Sequence, residues 1–257
     1  MVESLALEIN GAGDPVLFIH GLGGTGNVFG PQVGMLSRFF TCVRFDLPGA
    51  GLSPLGDAHT IDDLVSATLD LMDRAEIDRP VHIVAHSMGT VVAQHLALRV
   101  PERVRSLSLI GPVHAPGDAG RNALHARAQK ARAEGLTEIA DQIVAGGTSA
   151  DTKANRPEVT AFVRELVMRQ SAEGYARHCE ALARVEAADV GKIAVPTLLI
   201  TGDEDNTSPA PASAALTQKF PDANLLILDR TGHWTTLERA SEVNQALVNF
   251  LFGHAAE

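Results

Sequence analysis

The chain of 257 residues contains only two cysteines, Cys42 and Cys179, a single tryptophan, a single tyrosine, and no apolar run near the length of a membrane span. Two cysteines outside any Cys/His cluster argue against a disulfide framework and a metal site, and read as buried thiols. A membrane-crossing helix needs about 20 consecutive apolar residues, and none is expected here. Positive charge is scarce as well: 21 Lys and Arg stand against 31 Asp and Glu, a formal charge of -10. Nucleic-acid binding calls for clustered Lys and Arg on phosphates, and the sequence has no basic stripe. The same charge opposes a small anion at long range, although local arginines act within a screening length of about 8 to 10 Å. The start, Met1-Val2-Glu3-Ser4, lacks a basic segment followed by an apolar one, so a cytoplasmic location is the default expectation. Self-association into a homo-oligomer stays open. There is no internal repeat and no low-complexity tail.

What is present is a hydrophobic content of 45%, ordinary for a chain that buries one α/β core plus an insertion. Apolar strand candidates fall at Val16 to Ile19, Thr41 to Phe45, Val81 to Ala85, Leu107 to Ile110, Thr197 to Ile200 and Leu225 to Leu228. Helical patterns separate most of them, including Ile61 to Ala75 and Ala240 to Phe252, where apolar residues recur every three or four positions. This alternation predicts a doubly wound, mostly parallel sheet, with the alternating stretch Leu5 to Ile9 as an antiparallel edge strand. Between Gly111-Pro112 and about Gly191 the strand pattern stops, and Ala/Arg/Glu-rich helical segments take over, broken at Gly146-Gly147 and before Pro157. The reading is a core of residues 1–112 and 191–257, with residues 113–190 forming a helical cap inserted after the sixth strand.

The most informative segment is Ala85-His86-Ser87-Met88-Gly89, fed by the apolar run Val81-His82-Ile83-Val84 and left by the helix-like Thr90 to Val100. A serine between a strand and a helix, with small residues two before and two after, is a nucleophile elbow: the turn strains the serine backbone and exposes its hydroxyl. Ala85 and Gly89 are small because strand and helix pass in contact there. Upstream, Val16 to Ile19 ends in His20-Gly21-Leu22-Gly23-Gly24, a glycine-rich turn able to aim a backbone N–H beside the serine. Downstream, Thr197 to Ile200 runs into Thr201-Gly202-Asp203-Glu204-Asp205, and Leu225 to Leu228 is followed closely by Gly232-His233-Trp234. Acid and histidine both follow strands, in the chain order Ser, Asp, His.

These segments, with Asp46-Leu47-Pro48-Gly49-Ala50-Gly51-Leu52-Ser53 and the spacing Gly202-x-x-Asp205-x-x-x-Pro209, resemble the successive signatures of the α/β-hydrolase superfamily over nearly the whole chain. Within it, Ser171-Ala172-Glu173-Gly174-Tyr175-Ala176-Arg177-His178-Cys179-Glu180-Ala181-Leu182 and the strand approach Ile193-Ala194-Val195-Pro196-Thr197 resemble 3-oxoadipate enol-lactonases. Departures are the Leu47-Pro48-Gly49 after Asp46 and the elbow ending Ser-Met-Gly-Thr. The resemblance implies a cofactor-independent and metal-independent hydrolase of a small lactone or ester. Ser87 would be the nucleophile, His233 the general base and acid, and Asp205 the orienting carboxylate. The backbone N–H groups of Leu22 and Met88 would form the oxyanion hole, and the cap would set specificity.

Competing assignments accompany each residue. Asp203 shares the acidic turn with Asp205, and Asp118 is a second rival acid. His20 is expected to hold its turn, His86 to point away from the serine, His82 and His95 to be structural, and Asp46 to cap loop N–H groups. Phe29 and Trp234 are candidates for the substrate pocket, as is the Met88 side chain, with core packing as the alternative. Arg121, Arg127 and Arg132 could meet a substrate carboxylate, but a solvated helix face is the stronger reading. A carbon–carbon bond hydrolase of the meta-cleavage type, a cofactorless dioxygenase and a non-catalytic ligand receptor on the same fold remain the alternatives.

Overall fold

In the computed structural model, which describes residues 4–255, seven strands form one sheet. They are β1 (Leu7–Asn10), β2 (Pro15–Ile19), β3 (Thr41–Phe45), β4 (Val81–His86), β5 (Val104–Ile110), β6 (Thr197–Gly202) and β7 (Ala223–Leu228). The expectation drawn from Met1, Val2 and Glu3 lies outside the described residues. The order across the sheet is β1-β3-β2-β4-β5-β6-β7. Strand β1 pairs antiparallel with β3, and every other pairing is parallel. Strands β2, β4 and β6 are buried at every residue. A parallel strand covered by helices on both faces has no wet side, which is why these runs are continuous rather than alternating. Strand β1, at the edge, is exposed throughout.

The sheet helices are α1 (Gly30–Leu36), α2 (Ile61–Arg74) and α3 (Met88–Arg99) in the first half of the chain. Helix α2 opens on a capping box between Thr60 and Asp63 and buries Ile61, Leu64, Val65, Leu71 and Met72, each such side chain contributing about 1.5–3 kcal/mol. Five helices follow β5: α4 (Asp118–Glu134), α5 (Thr137–Gly147), α6 (Ala150–Asn155), α7 (Pro157–Met168) and α8 (Ala172–Arg184). Helices α9 (Ala210–Thr217), α10 (Thr235–Glu238) and α11 (Ala240–Gly253) complete the chain. The helical insertion therefore follows the fifth strand rather than a sixth, since among the described residues five strands, the antiparallel edge strand included, precede Gly111.

Within the insertion α4 packs on α8 and α5 on α7. Its contacts with the core are specific. The ring Nε2–H of His178 donates to the Pro48 carbonyl (2.8 Å), and the Gln170 amide donates to Gly24 O (3.2 Å) while accepting from Gly51 N–H (3.2 Å). Among the described residues no helix is long and apolar enough to cross a membrane.

Strand order fixes where a site can form. The chain steps from β2 outward to β3, then returns to place β4 on the other side of β2. At such a switch point the loops leaving the carboxyl ends of the two strands diverge and open a crevice. The loops at this point carry Leu22 after β2 and Ser87 after β4.

Candidate active site

Ser87 sits between β4 and α3 with φ 53° and ψ -123°, a backbone conformation that costs an L-residue of order 1–3 kcal/mol. It is held by the Ser87 N–H to Ile110 O (2.9 Å) and by Thr90 N–H to Ser87 O (2.8 Å). A Cβ at Gly89 would stand 2.2 Å from Ile19 O, and one at Gly21 would stand 2.6 Å from the Ser87 Cβ. Only glycine lets α3 and the turn after β2 approach the serine this closely.

His233 and Asp205 meet Ser87 in a hydrogen-bonded line. The His233 Nε2 lies 2.8 Å from Ser87 Oγ, and its Nδ1 lies 2.9 Å from Asp205 Oδ2. Asp205 Oδ1 accepts from the N–H groups of Thr207 (2.8 Å) and Ser208 (2.7 Å), which fixes the carboxylate and leaves Oδ2 for the imidazole. Burial alone would raise the Asp205 carboxyl; the His233 charge and hydrogen bond and the two loop N–H groups outweigh it and hold the group below its ordinary range. An ionised, nearly inaccessible carboxylate therefore faces the ring.

The backbone N–H groups of Leu22 and Met88 have no acceptor among the described residues. Met88 is the first residue of α3, where N–H groups lack intrahelical partners and the helix dipole is positive. His20 holds the opposite turn. Its Nε2 accepts from Leu47 N–H (2.9 Å), so the ring proton is on Nδ1 and donates to Gly21 O (2.9 Å).

Ser87, His233 and Leu22 line a cavity of about 610 Å³ whose other walls come partly from the insertion, with Leu124 and Arg127 of α4, Ile143 of α5 and Leu182 of α8, and partly from the core after β6, with Thr207, Ser208 and Leu216. Trp234 lines it too. Phe29 does not: it is fully buried and packs on Phe18 with ring centroids 5.2 Å apart, so its placement in the pocket is corrected to the sheet core. The Met88 side chain is likewise fully buried in the core. Asp203 accepts from Thr231 N–H (3.0 Å) and shapes the turn instead of meeting His233. Asp118 is exposed at the start of α4. Asp46 caps loop N–H groups, Gly26 on Oδ1 (2.8 Å) and Leu52 on Oδ2 (2.9 Å). His82 hydrogen-bonds Ser106 (2.7 Å) inside the sheet, His95 contacts Glu186 O (3.2 Å), and both cysteines are free and buried. His86 is more involved than expected: its Nε2–H donates to His233 O (2.8 Å), and its ring packs 5.0 Å from that of His233 and 5.3 Å from Trp234.

Sequence reasoning missed Glu238. Its side chain is fully buried, and Oε2 accepts from Ser149 N–H (2.8 Å), the Thr152 hydroxyl (2.8 Å) and Gly232 N–H (3.2 Å). The neighbouring His233 N–H donates to Gly147 O (2.8 Å). The loop carrying His233 is thus bonded directly to the insertion. Nothing in the short stretch Thr235-Thr236-Leu237-Glu238 distinguishes such a glutamate from a solvent-facing one. Among the described residues no group of three His, Cys, Asp or Glu is arranged to hold a metal ion.

Comparison with known proteins places the chain in a family. The family described as the alpha/beta hydrolase fold matches residues 14–240. A 3-oxoadipate enol-lactonase from Acinetobacter baylyi is 27% identical, the match covering 90% of this chain and 86% of that protein. The enol-lactonase structure from Burkholderia xenovorans superposes with a TM-score of 0.90 at 29% identity over 96% of each chain. A thermophilic esterase from Thermogutta terrifontis gives a TM-score of 0.94 at 25% identity, covering 98% of this chain and 94% of that one.

Proposed function

Because the chain belongs to the alpha/beta hydrolase family, we propose that this enzyme is a serine hydrolase of a small lactone or carboxylic ester, 3-oxoadipate enol-lactonase-like in its chemistry. The observation that carries the reading is the Ser87–His233–Asp205 line, at 2.8 and 2.9 Å, opening on a cavity beside two unpartnered N–H groups. Ser87 Oγ attacks the acyl carbon as its proton passes to His233 Nε2, while Nδ1–H stays on Asp205 and the carboxylate stabilises the imidazolium. The tetrahedral oxyanion takes hydrogen bonds from the N–H groups of Leu22 and Met88, each contributing on the order of a hundredfold or more in rate. The leaving alkoxide, or the ring-opened enolate of a lactone, collects the proton from His233. Water, deprotonated by the same nitrogen, then releases the acyl group as a carboxylate. Residues 113–190 act as the cap over Ser87, on a core of 1–112 and 191–257. A cytoplasmic enzyme acting on a small molecule, without cofactor, is the setting this reading implies.

The test is steady-state hydrolysis of 3-oxoadipate enol-lactone beside short p-nitrophenyl esters and a meta-cleavage diketone, for wild type, Ser87→Ala, His233→Ala and Asp205→Asn. Each variant is expected to fold and to lose on the order of a thousandfold or more in kcat. Preference for the enol-lactone supports the subclass; ester turnover alone keeps Ser87 and removes the lactonase assignment. Diketone cleavage would move the enzyme to the carbon–carbon hydrolases. Full activity in a folded Ser87→Ala protein would end the nucleophilic mechanism.

A further inference from the structure

Three arginines of α4 differ in what surrounds them. Arg121 donates to the carbonyls of Ala183 and Val185 at the end of α8, and Arg132 is paired with Glu173 and Glu180. Their donors are committed to holding α4 on α8. Arg127 is half-buried, lines the cavity that contains Ser87 and His233, and has no ion pair among the described residues. Among the described residues it is also the only Lys, Arg, Asp or Glu in that lining. The cavity of a protein with a formal charge of -10 thus presents one uncompensated guanidinium and no carboxylate.

A second observation concerns Tyr175 on α8. Its side chain is 1% exposed, and its hydroxyl is buried without a properly oriented hydrogen-bond partner. The Arg127 guanidinium acts electrostatically on this phenol, against a burial that pushes it upward. Tyr175 itself does not line the cavity, so the phenol lies behind Arg127 on the α8 side and the guanidinium is the group that faces the cavity. A planar guanidinium takes a carboxylate through two parallel N–H bonds, with a directionality an apolar wall cannot supply.

We propose that Arg127, the charged group facing the cavity that contains Ser87, is an anion subsite that selects substrates carrying a carboxylate away from the scissile acyl bond. The assignment rests on the hydrolase reading above for what sits at Ser87, but the anion binding itself does not need turnover. It turns a general ester pocket into one for monoesters or lactones of dicarboxylic and hydroxy-dicarboxylic acids. Uncharged alkyl esters leave the guanidinium desolvated and unpaired, so they are the poorer substrates.

Two pairs of esters test this. Monomethyl adipate is compared with methyl hexanoate, and 4-acetoxybutanoate with butyl acetate, so that a terminal carboxylate replaces a methyl on the acyl side or the alcohol side. Rates are followed by pH-stat titration. Wild type is expected to favour the anionic member of at least one pair by tenfold or more in kcat/KM. Arg127→Gln should collapse that ratio towards one, and Arg127→Lys should keep part of it. The ratio cancels any general loss of activity from altered packing. A wild-type ratio near one in both pairs, or a ratio that survives in Arg127→Gln, overturns the proposal. Calorimetry with adipate separates this from the catalytic reading: Ser87→Ala should bind it, and Ser87→Ala with Arg127→Gln should bind at least tenfold more weakly. Adipate binding lost with Arg127 in a protein that hydrolyses no ester would keep the subsite and refute the serine-hydrolase reading. Equal adipate binding by the two variants would refute the subsite alone.

Discussion

Replacing Glu238 by alanine tests whether the insertion and the histidine loop are one mechanical unit. The substitution deletes the acceptor shared by Ser149 N–H, Gly232 N–H and the Thr152 hydroxyl. The Thr152 hydroxyl keeps the Ser149 hydroxyl 3.0 Å away, so the two backbone N–H groups bear the loss. At about 1–3 kcal/mol for each unsatisfied buried donor, the sum is about 2–6 kcal/mol; water entering the vacated space offsets part of it, and about 3 kcal/mol is expected. The kinetic consequence comes from Gly232, which precedes His233. Once its N–H is released, the bond from His233 N–H to Gly147 O is the one hydrogen bond between Gly232-His233 and the insertion among the described residues, while Arg156 still donates to Leu237 O and Glu238 O further along. Misplacement of a reacting group by about 1 Å can cost on the order of a hundredfold, so a fall of about tenfold in kcat with little change in KM is a conservative expectation. Glu238→Gln retains one acceptor oxygen and should lose about 1–2 kcal/mol, with a smaller fall in kcat. Urea unfolding gives the stability, and steady-state kinetics on an ester, at a temperature where all three proteins are folded, give the rate. A Glu238→Ala protein within about 0.5 kcal/mol of wild type would refute the claim that these bonds stabilise the fold. An unchanged kcat in a destabilised Glu238→Ala protein would refute the link to His233.

Gly89→Ala forces a methyl to 2.2 Å from Ile19 O and 2.6 Å from His20 O, both backbone atoms, so α3 must move off β2. A loss of about 3 kcal/mol lowers Tm by about 6–12 °C in a chain of this size, and a differential scanning profile identical to wild type would contradict the close approach. Burial pushes His86 down to about 3 and His82 and His178 down to about 4, whereas in the unfolded chain histidine titrates near pH 6.5. Between pH 6.5 and about 4 the unfolded state therefore binds more protons than the native one, and stability falls as pH falls, by on the order of 1 kcal/mol per pH unit for each histidine. Urea midpoints that stay flat from pH 7.5 to 5 would show that these rings are not held neutral.

The parts of this molecule that were legible in the sequence are those whose physics is local. A parallel strand buried on both faces must be apolar along its length, so Val16 to Ile19 and Val81 to Ala85 declare themselves. The elbow declares itself because Gly89 is forced by a backbone contact, and the acid turn because Gly202 and Pro209 bracket Asp205. What the sequence hid are the pairings across long separations. Phe29 and Trp234 are both aromatic residues near signature turns, yet one packs under the sheet on Phe18 and the other faces the cavity. Arg121, Arg127 and Arg132 share one helix and one residue type; only the partners on α8, more than forty residues away, decide which is free. Glu238 belongs to the same class, because its donors lie 86 and 89 residues back in the chain, with only Gly232 nearby.

The distribution of those long-range bonds bears on how specificity and rate can change. The insertion touches the core beside both halves of the site: Gln170 at Gly24 and Gly51 and His178 at Pro48 on the Leu22 side, Ser149 and Thr152 at Glu238 and Gly147 at His233 on the histidine side. The cavity wall and the loop carrying His233 therefore share hydrogen bonds, and a substitution that loosens α5 or α6 enlarges the cavity and frees His233 together. Changes confined to the α4 face, at Leu124 or Arg127, touch the wall without touching those bonds. Specificity should accordingly be adjustable from α4 at little kinetic cost, whereas changes around Gly147 to Thr152 should alter rate and specificity together.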